Sequence, residues 1–226
     1  NEPWKGKSGL NVYADFVMET DAMVGRVLDT LDEIGVTDKT LVIFTSDNGK
    51  ARYTGAEALE KMGHFSSGPF RDYKASVYEG GHRVPFIVRW PKVVPPGSVC
   101  IQLVHQADLF ATLAEILEVP IPPNAGEDSF SLLPLFRGEN RSVRPHAVSC
   151  ASSGVPSVRE GPWKLILNKN PELYQLDNDP GETANLADRY SDRVEAMKKL
   201  LEKIIRDGRS TPGPQQKNDV PVKRYP

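Results

Sequence analysis

The chain lacks any apolar run approaching the roughly 20 residues that a membrane-crossing helix requires, which excludes a spanning helix. It also lacks an excess of either charge. With 28 Lys and Arg against 30 Asp and Glu, the net charge is -2, so there is no electrostatic footprint for nucleic acid or for an anionic membrane surface. Any anion it binds must be held by a local arrangement. Its two cysteines, Cys100 and Cys150, are too few to define a disulfide framework or to indicate an oxidising compartment. They could pair or stay free, and each reads as a small buried residue. There is no internal repeat, no initiating Met and no signal peptide. The opening Asn1-Glu2-Pro3-Trp4 is a polar loop that reads as cut from something longer.

What is present is ordinary globular composition: 226 residues, 39% hydrophobic and 26% charged, enough for one large domain or one plus a small one. The pattern turns on Thr40 to Gly49, where the apolar run Leu41-Val42-Ile43-Phe44 ends in Thr45-Ser46-Asp47-Asn48-Gly49. A buried strand would deliver a carboxylate and an amide to its own carboxyl end, the place where open α/β sheets bind ligands. A carboxylate beside a side-chain carbonyl suits a hard cation, so Asp47 and Asn48 are candidate metal ligands. The same residues also read as a turn, since Asn-Gly is a strong hairpin signal. A hairpin needs a second alternating strand at once, and Lys50 to Gly68 shows no period of two.

Upstream, Val12, Phe16, Val17, Met23, Val24, Val27, Leu28, Leu31 and Ile34 recur at helical spacing, and Gly35 is placed to cap the helix. Asp15, Glu19 and Asp21 read as a solvated face. Helix, short connection and strand read as part of a βαβ arrangement, with another strand ahead of residue 1. Downstream, Val84 to Trp90 predicts a second strand bounded by Pro85 and Pro91. A helix follows from about His105 to Glu118, with Leu109, Leu113, Ile116 and Leu117 on one face and Asp108 in its first turn. Pro120 to Pro145 separates two textures, which puts a boundary between segments 1–135 and 136–226. Short strands at 147–149, 156–159, 163–167 and 172–176 then suit a small antiparallel sheet. A last helix begins after Ser191 as N-cap, turns Val194, Met197, Leu201, Ile204 and Ile205 inward, and closes at Gly208. The tail from Arg209 reads as extended on the surface, and Asn140-Arg141-Ser142 is an acceptor sequon for a secreted eukaryotic protein.

Two further stretches carry a family signature: Gly68-Pro69-Phe70-Arg71-Asp72-Tyr73-Lys74, and Tyr78-Glu79-Gly80-Gly81-His82-Arg83-Val84-Pro85-Phe86-Ile87. With the Ser-Asp-Asn-Gly strand end, and with Trp163-Lys164-Leu165-Ile166 and Glu172-Leu173-Tyr174 following, the chain resembles the arylsulfatase-type sulfatases of the alkaline-phosphatase-like superfamily. The resemblance runs from the first helix to Gly208-Arg209-Ser210-Thr211-Pro212-Gly213. It implies an α/β fold: part of a large mixed sheet with flanking helices, plus a small carboxyl-terminal antiparallel sheet and helix. Segment 1–135 would be the carboxyl-terminal part of the catalytic domain and 136–226 a small α+β subdomain.

The resemblance makes Asp47 and Asn48 ligands of calcium or a similar divalent ion, and Lys74 a catalytic cation contacting the substrate sulfate. The family nucleophile resembles a hydrated aldehyde, formylglycine, made in a Cys-x-Pro-x-Arg type of motif. Neither Cys100 nor Cys150 stands in that context, so the nucleophile is expected in an amino-terminal part and the isolated chain is expected to be inactive. No catalytic role falls on His64, His82, His105 or His146. His64 and His82 lie in the signature region and read as structural, and Glu79 with Arg83 reads as an ion pair holding the Gly80-Gly81 turn. The implied function is a sulfuric ester hydrolase acting on an aryl or carbohydrate sulfate. The alternatives are a phosphatase, phosphodiesterase or phosphonate hydrolase on the same fold, or a non-catalytic fragment or scaffold subunit. An amino-terminal segment or a second copy of the chain are the partners expected, and the family implies a periplasmic, lysosomal or secreted location.

Overall fold

Residues 2–222 are described by the computed structural model, and the chain divides into two compact units, Asn1–Pro96 and Gly97–Pro226. The division falls ahead of the composition change near residue 135. Asn1, at the head of the opening loop, lies outside the described residues, as do residues 223–226 of the tail.

In the first unit a 3-10 turn at Glu2–Trp4 leads to α1 (Val12–Glu33), then to a 3-10 turn at Thr37–Lys39 and β1 (Val42–Thr45). Asn11 caps α1, its side-chain oxygen accepting from Ala14 N at 2.9 Å, and Gly35 takes the left-handed φ of 70° just past the other end. After a 3-10 turn at Arg52–Thr54 come α2 (Ala56–Lys61), α3 (Glu79–His82) and β2 (Phe86–Arg89). β1 and β2 pair antiparallel, from Val42 opposite Arg89 to Thr45 opposite Phe86.

Three expectations fail in this unit. β1 is not buried, since all four of its residues are half-exposed and β2 is its one strand neighbour among the described residues. The apolar stripe of α1 does not face a core: Phe16 is 61% exposed and Val27 56%, and only Ala14 and Asp15 are buried. Asp15 is not on a solvated face either. It accepts from Gly6 N at 2.7 Å, Ser8 N at 2.9 Å and Ser8 Oγ at 2.7 Å, folding the preceding loop back onto the helix start. The Ser8 side-chain bond, then the backbone bonds, hold its carboxyl below the usual carboxylate range.

The second unit contains α4 (Asp108–Ile116), α5 (Leu133–Phe136), β3 (His146–Cys150), β4 (Pro156–Glu160), β5 (Trp163–Ile166), β6 (Glu172–Gln175) and α6 (Ser191–Asp207). The four strands form an antiparallel meander in chain order. Val148, Val158, Leu165 and Leu173 lie opposite one another in register. The last three of these, with Leu167, pack on Val194, Met197 and Leu201 of α6, whose spacing by three and four places them on one helix face. Gly208 closes α6 with φ 62° as expected. Ser191, however, is the first helical residue rather than the cap. Tyr190 occupies the cap without a side-chain hydrogen bond and sets its ring edge against Trp163 at 5.1 Å.

α4 buries the opposite face from the one its leucines suggest. Leu113 and Leu117 are exposed, while Asp108, Ala111 and Thr112 are buried. The reason is hydrogen bonding to the 128–132 segment. Asp108 accepts from Phe130 N at 2.9 Å and from Arg144 Nε at 2.9 Å, Thr112 Oγ1 accepts from Leu132 N at 2.8 Å, and Ser129 Oγ accepts from Ala111 N at 2.8 Å, satisfying a first-turn amide that has no helical partner. The start of the tail is tied down: Arg209 donates to carbonyl oxygens of Thr211, Pro123 and Pro214, and Ser210 N and Thr211 N donate to Glu127 O. Both cysteines are free and exposed rather than buried.

Lys164 and Glu182 form an ion pair at 2.8 Å with side chains 1% and 0% exposed. Removing one partner strands a buried charge, which costs about 3–5 kcal/mol, whereas replacing both by apolar groups is often close to neutral. Lys164→Met should therefore lower stability in urea titrations by about that amount, and adding Glu182→Leu should recover most of the loss. A single-variant cost under about 1 kcal/mol, as exposed pairs give, would contradict the burial of this pair.

Candidate functional site

Beyond Thr45 the chain turns sharply. Ser46 Oγ donates to Asn48 O at 3.0 Å, Asn48 Nδ2 donates to Gly49 O at 3.0 Å, and Gly49 N donates to Gly81 O at 3.0 Å. Asp47 is exposed, and among the described residues its carboxylate has no hydrogen-bond or ion-pair partner. Because the Asn48 amide nitrogen is engaged, its Oδ1 is the atom left to coordinate. The Asn-Gly pair is not a hairpin turn, since the strand pairing with β1 begins only at Phe86 and Gly49 lies outside the left-handed region. Gly49 is required for a different reason: a Cβ there would overlap the Gly80 carbonyl oxygen, and one at Gly80 would overlap the carbonyls of Asp72 and Arg71. Main chain packs directly on main chain, which only glycine permits.

The two signature stretches are joined to each other by Gly80 N donating to Arg71 O at 2.8 Å, and to this strand end by Lys74 N donating to Lys50 O at 2.9 Å. Asp72 and Ala75, on either side of Tyr73-Lys74, adopt φ of 66° and 76°, a left-handed conformation that costs a non-glycine residue about 1–2 kcal/mol. Such strain survives only where surrounding contacts over-determine it, and it clusters at functional sites. Lys74 is exposed, and its ammonium has no partner among the described residues.

Glu79, 2% exposed, accepts from Arg83 at 3.2 Å and faces His82 Nε2 at 3.4 Å. The Glu79–Arg83 ion pair is thus present, with Gly80 and Gly81 inside α3 rather than in a turn. His82 Nδ1 is shielded and without a hydrogen-bond partner, and His64 is exposed. His105 and His146 lie in the second unit. There, His105 Nδ1 accepts from Ala107 N at the start of α4. Burial, then the nearby Arg144 charge, pushes the His146 imidazole below its usual range.

Lys50 and its surroundings were not singled out by the sequence. This lysine is 8% exposed, donates to Ser66 Oγ at 3.0 Å and lies 4.9 Å from the Tyr13 ring centroid. Burial pushes its ammonium pKa down, against a smaller opposing effect of Glu60. Glu60 also accepts from the Tyr73 hydroxyl, and that bond pushes the phenol up to about 12. Arg52 pairs with Glu57 and Asp72, each at 3.1 Å, and stacks on Tyr73. The one local signal for Lys50 is that it follows Asn48-Gly49 directly; its side-chain partners lie far along the chain.

A carboxylate and an amide oxygen fit a hard divalent cation in kind. In number they supply two donors, against the roughly six to eight oxygens that calcium takes. Among the described residues no group of three or more His, Cys, Asp or Glu stands together as a metal cluster.

A family model described as Sulfatase matches residues 2–119, and one described as N-sulphoglucosamine sulphohydrolase, C-terminal, matches residues 69–209. The chain is 35% identical over 219 residues to an N-acetylgalactosamine-6-O-sulfatase of Bacteroides thetaiotaomicron, covering 88% of this chain and 43% of the relative. It is 33% identical over 244 residues to human arylsulfatase A, covering 93% and 46%. A solved structure from work on the metabolism of multiple glycosaminoglycans by Bacteroides thetaiotaomicron superposes with a TM-score of 0.84 at 34% identity, covering 89% of this chain and 46% of that one. The chain thus spans a little under half the length of the relatives it matches. The sulfatase model extends over more than half of its residues, the solved neighbours share its α/β, alkaline-phosphatase-like architecture, and on these grounds the chain belongs to the sulfatase family.

Proposed function

We propose that this chain forms the metal- and sulfate-binding side of a sulfuric ester hydrolase. The observation that carries the reading is that Asp47, Asn48 and Lys74 present unengaged groups from segments locked together by the Gly49–Gly81 and Lys50–Lys74 main-chain hydrogen bonds. Asp47 and Asn48 would hold calcium or a similar divalent ion, which when bound draws negative charge off the sulfate oxygens. Lys74 places its ammonium against the sulfuryl oxygens, where it offsets their negative charge and so favours attack at sulfur as the S–O bond breaks and its electron pair passes to the leaving oxygen. The main-chain packing at Gly49 fixes where the strand end stops, so the donors are oriented before substrate arrives.

The formylglycine nucleophile is assigned to polypeptide beyond this chain, because the residues around Cys100 and Cys150 lack the required Pro and Arg. An amino-terminal segment is the partner this assignment calls for, since a second copy of the chain would carry the same two cysteines and no nucleophile motif. The sulfatase relatives favour sulfate over phosphate or phosphonate esters, and the name of the N-acetylgalactosamine-6-O-sulfatase favours a carbohydrate sulfate over an aryl one. Segment 1–135 is read as part of the catalytic domain and 136–226 as a carboxyl-terminal subdomain. Family membership supports an extracytoplasmic location, in periplasm, lysosome or secretion. No helix among the described residues is long and apolar enough to cross a membrane.

In the enzyme assembled with its nucleophile segment, Asp47→Ala should abolish divalent-metal binding at the site, measured as bound metal per protein, and activity with it. Retention of wild-type metal content and turnover would make Asp47 an ordinary loop residue. Lys74→Ala in the same enzyme should lower kcat/KM on a sulfate ester by roughly 10²-fold while leaving the fold intact. Unchanged kinetics would return Lys74 to the solvent-facing lysines. Residues 1–226 alone should show no hydrolysis of a chromogenic aryl sulfate with added calcium, because the covalent route has no nucleophile. They should also aggregate readily through the exposed apolar face of α1. Sustained turnover by the chain alone would overturn the assignment of the nucleophile to other polypeptide.

A further inference from the structure

We propose that Lys50 is a positioning residue that sets the place of Lys74, an inference that rests on the sulfate-site reading above. The link is the main chain: the Lys50 carbonyl accepts the Lys74 amide at 2.9 Å, midway between the two left-handed residues Asp72 and Ala75. A strained four-residue stretch of this kind keeps its shape only while such bonds hold. What holds the Lys50 carbonyl is its own side chain. That side chain is 8% exposed, a rare state for lysine, and it is tethered at its far end to two separate segments. Its Nζ donates to Ser66 Oγ at 3.0 Å and sits over the ring of Tyr13 in α1, 4.9 Å from the centroid.

On the other side, Gly49 is clamped by its bond to Gly81 and by contact with the Gly80 carbonyl. Lys50 is therefore fixed at backbone and at side-chain end, and its carbonyl becomes a rigid reference for Lys74. The ammonium of Lys50 is turned toward Ser66 and Tyr13, so it acts through Lys74 and not on the sulfate itself. A displacement near 1 Å of a charge-stabilising group is enough to cost on the order of 10²-fold in rate.

The test is a double-mutant cycle in the enzyme assembled with its nucleophile segment, read as kcat/KM on a chromogenic aryl sulfate. Lys50→Met keeps an unbranched side chain out to Cε and removes the ammonium. It should lower kcat/KM by roughly 10- to 100-fold, yet cost less than about 2-fold in a Lys74→Ala background, because the two substitutions remove the same interaction. A general loss of stability would instead give the same factor in both backgrounds, so a factor that persists without Lys74 overturns the proposal, as does an unchanged kcat/KM. Ser66→Ala leaves Lys50 in place and frees its ammonium. It should show a smaller loss with the same dependence on Lys74, and it decides the matter if Lys50→Met does not fold. If Lys74→Ala is itself neutral, the sulfate-site reading falls and this proposal falls with it. If Lys74→Ala is damaging and the Lys50 effect is additive, the proposal fails alone.

Discussion

The main chain of residues 48–50 lies against that of residues 71–81 more closely than any side chain would permit, and the candidate site depends on that approach. A Cβ at Gly49, Gly80 or Gly81 would run into a carbonyl oxygen of a neighbouring segment. In place of side chains, the contact is held by amide–carbonyl bonds at 2.9 Å from Lys74 to Lys50 and 3.0 Å from Gly49 to Gly81, while a bond at 2.8 Å from Gly80 to Arg71 closes the signature stretches on themselves. Such bonds have fixed direction, so they transmit position with less slack than a layer of side chains. The candidate side chains of Asp47, Asn48 and Lys74 are not needed to hold the segments together.

The candidate residues were legible in the residue string, but the main-chain packing at Gly49, Gly80 and Gly81 was not. Asp47 and Asn48 stood out because an apolar run ended on them, and Lys74 because of the motif around it. The helix face of Val194, Met197 and Leu201 followed from spacing alone, and α6 does pack through it. The failures share a physical cause. Periodicity reports which residues are apolar, not what lies opposite, so it assigned the leucines of α4 to a buried face that Asp108, Ala111 and Thr112 occupy instead. Asp15 and Lys50 were invisible for a related reason: a charged residue is buried only when specific partners satisfy it. The partners here, Ser8 and Gly6 for one and Ser66 with Tyr13 for the other, carry no sequence mark.

The two units use buried charge differently. Asp108 and Arg144 in the second unit are satisfied several times over, the guanidinium also reaching His146 O at 2.9 Å and stacking on Phe130. They tie α4 to the 128–132 segment and to the start of β3. In the first unit Glu79 is buried below a half-exposed Arg83, which itself rests on Phe70. One cluster staples secondary structure, while the other steadies a four-residue helix whose glycines must stay in contact with the strand end.

The meander of the second unit has a built-in check on its alignment. Along β5, Leu165 turns toward α6 while Lys164 and Ile166 turn the other way, as successive residues of a strand must. A slip of one residue would exchange the two faces, sending the Lys164 ammonium into the aliphatic layer of Val158, Leu173 and Met197 and leaving Glu182 facing no countercharge. A shifted alignment is therefore penalised by a stranded ion on each side of the sheet, and a strand only four residues long gains a single permitted register from one lysine.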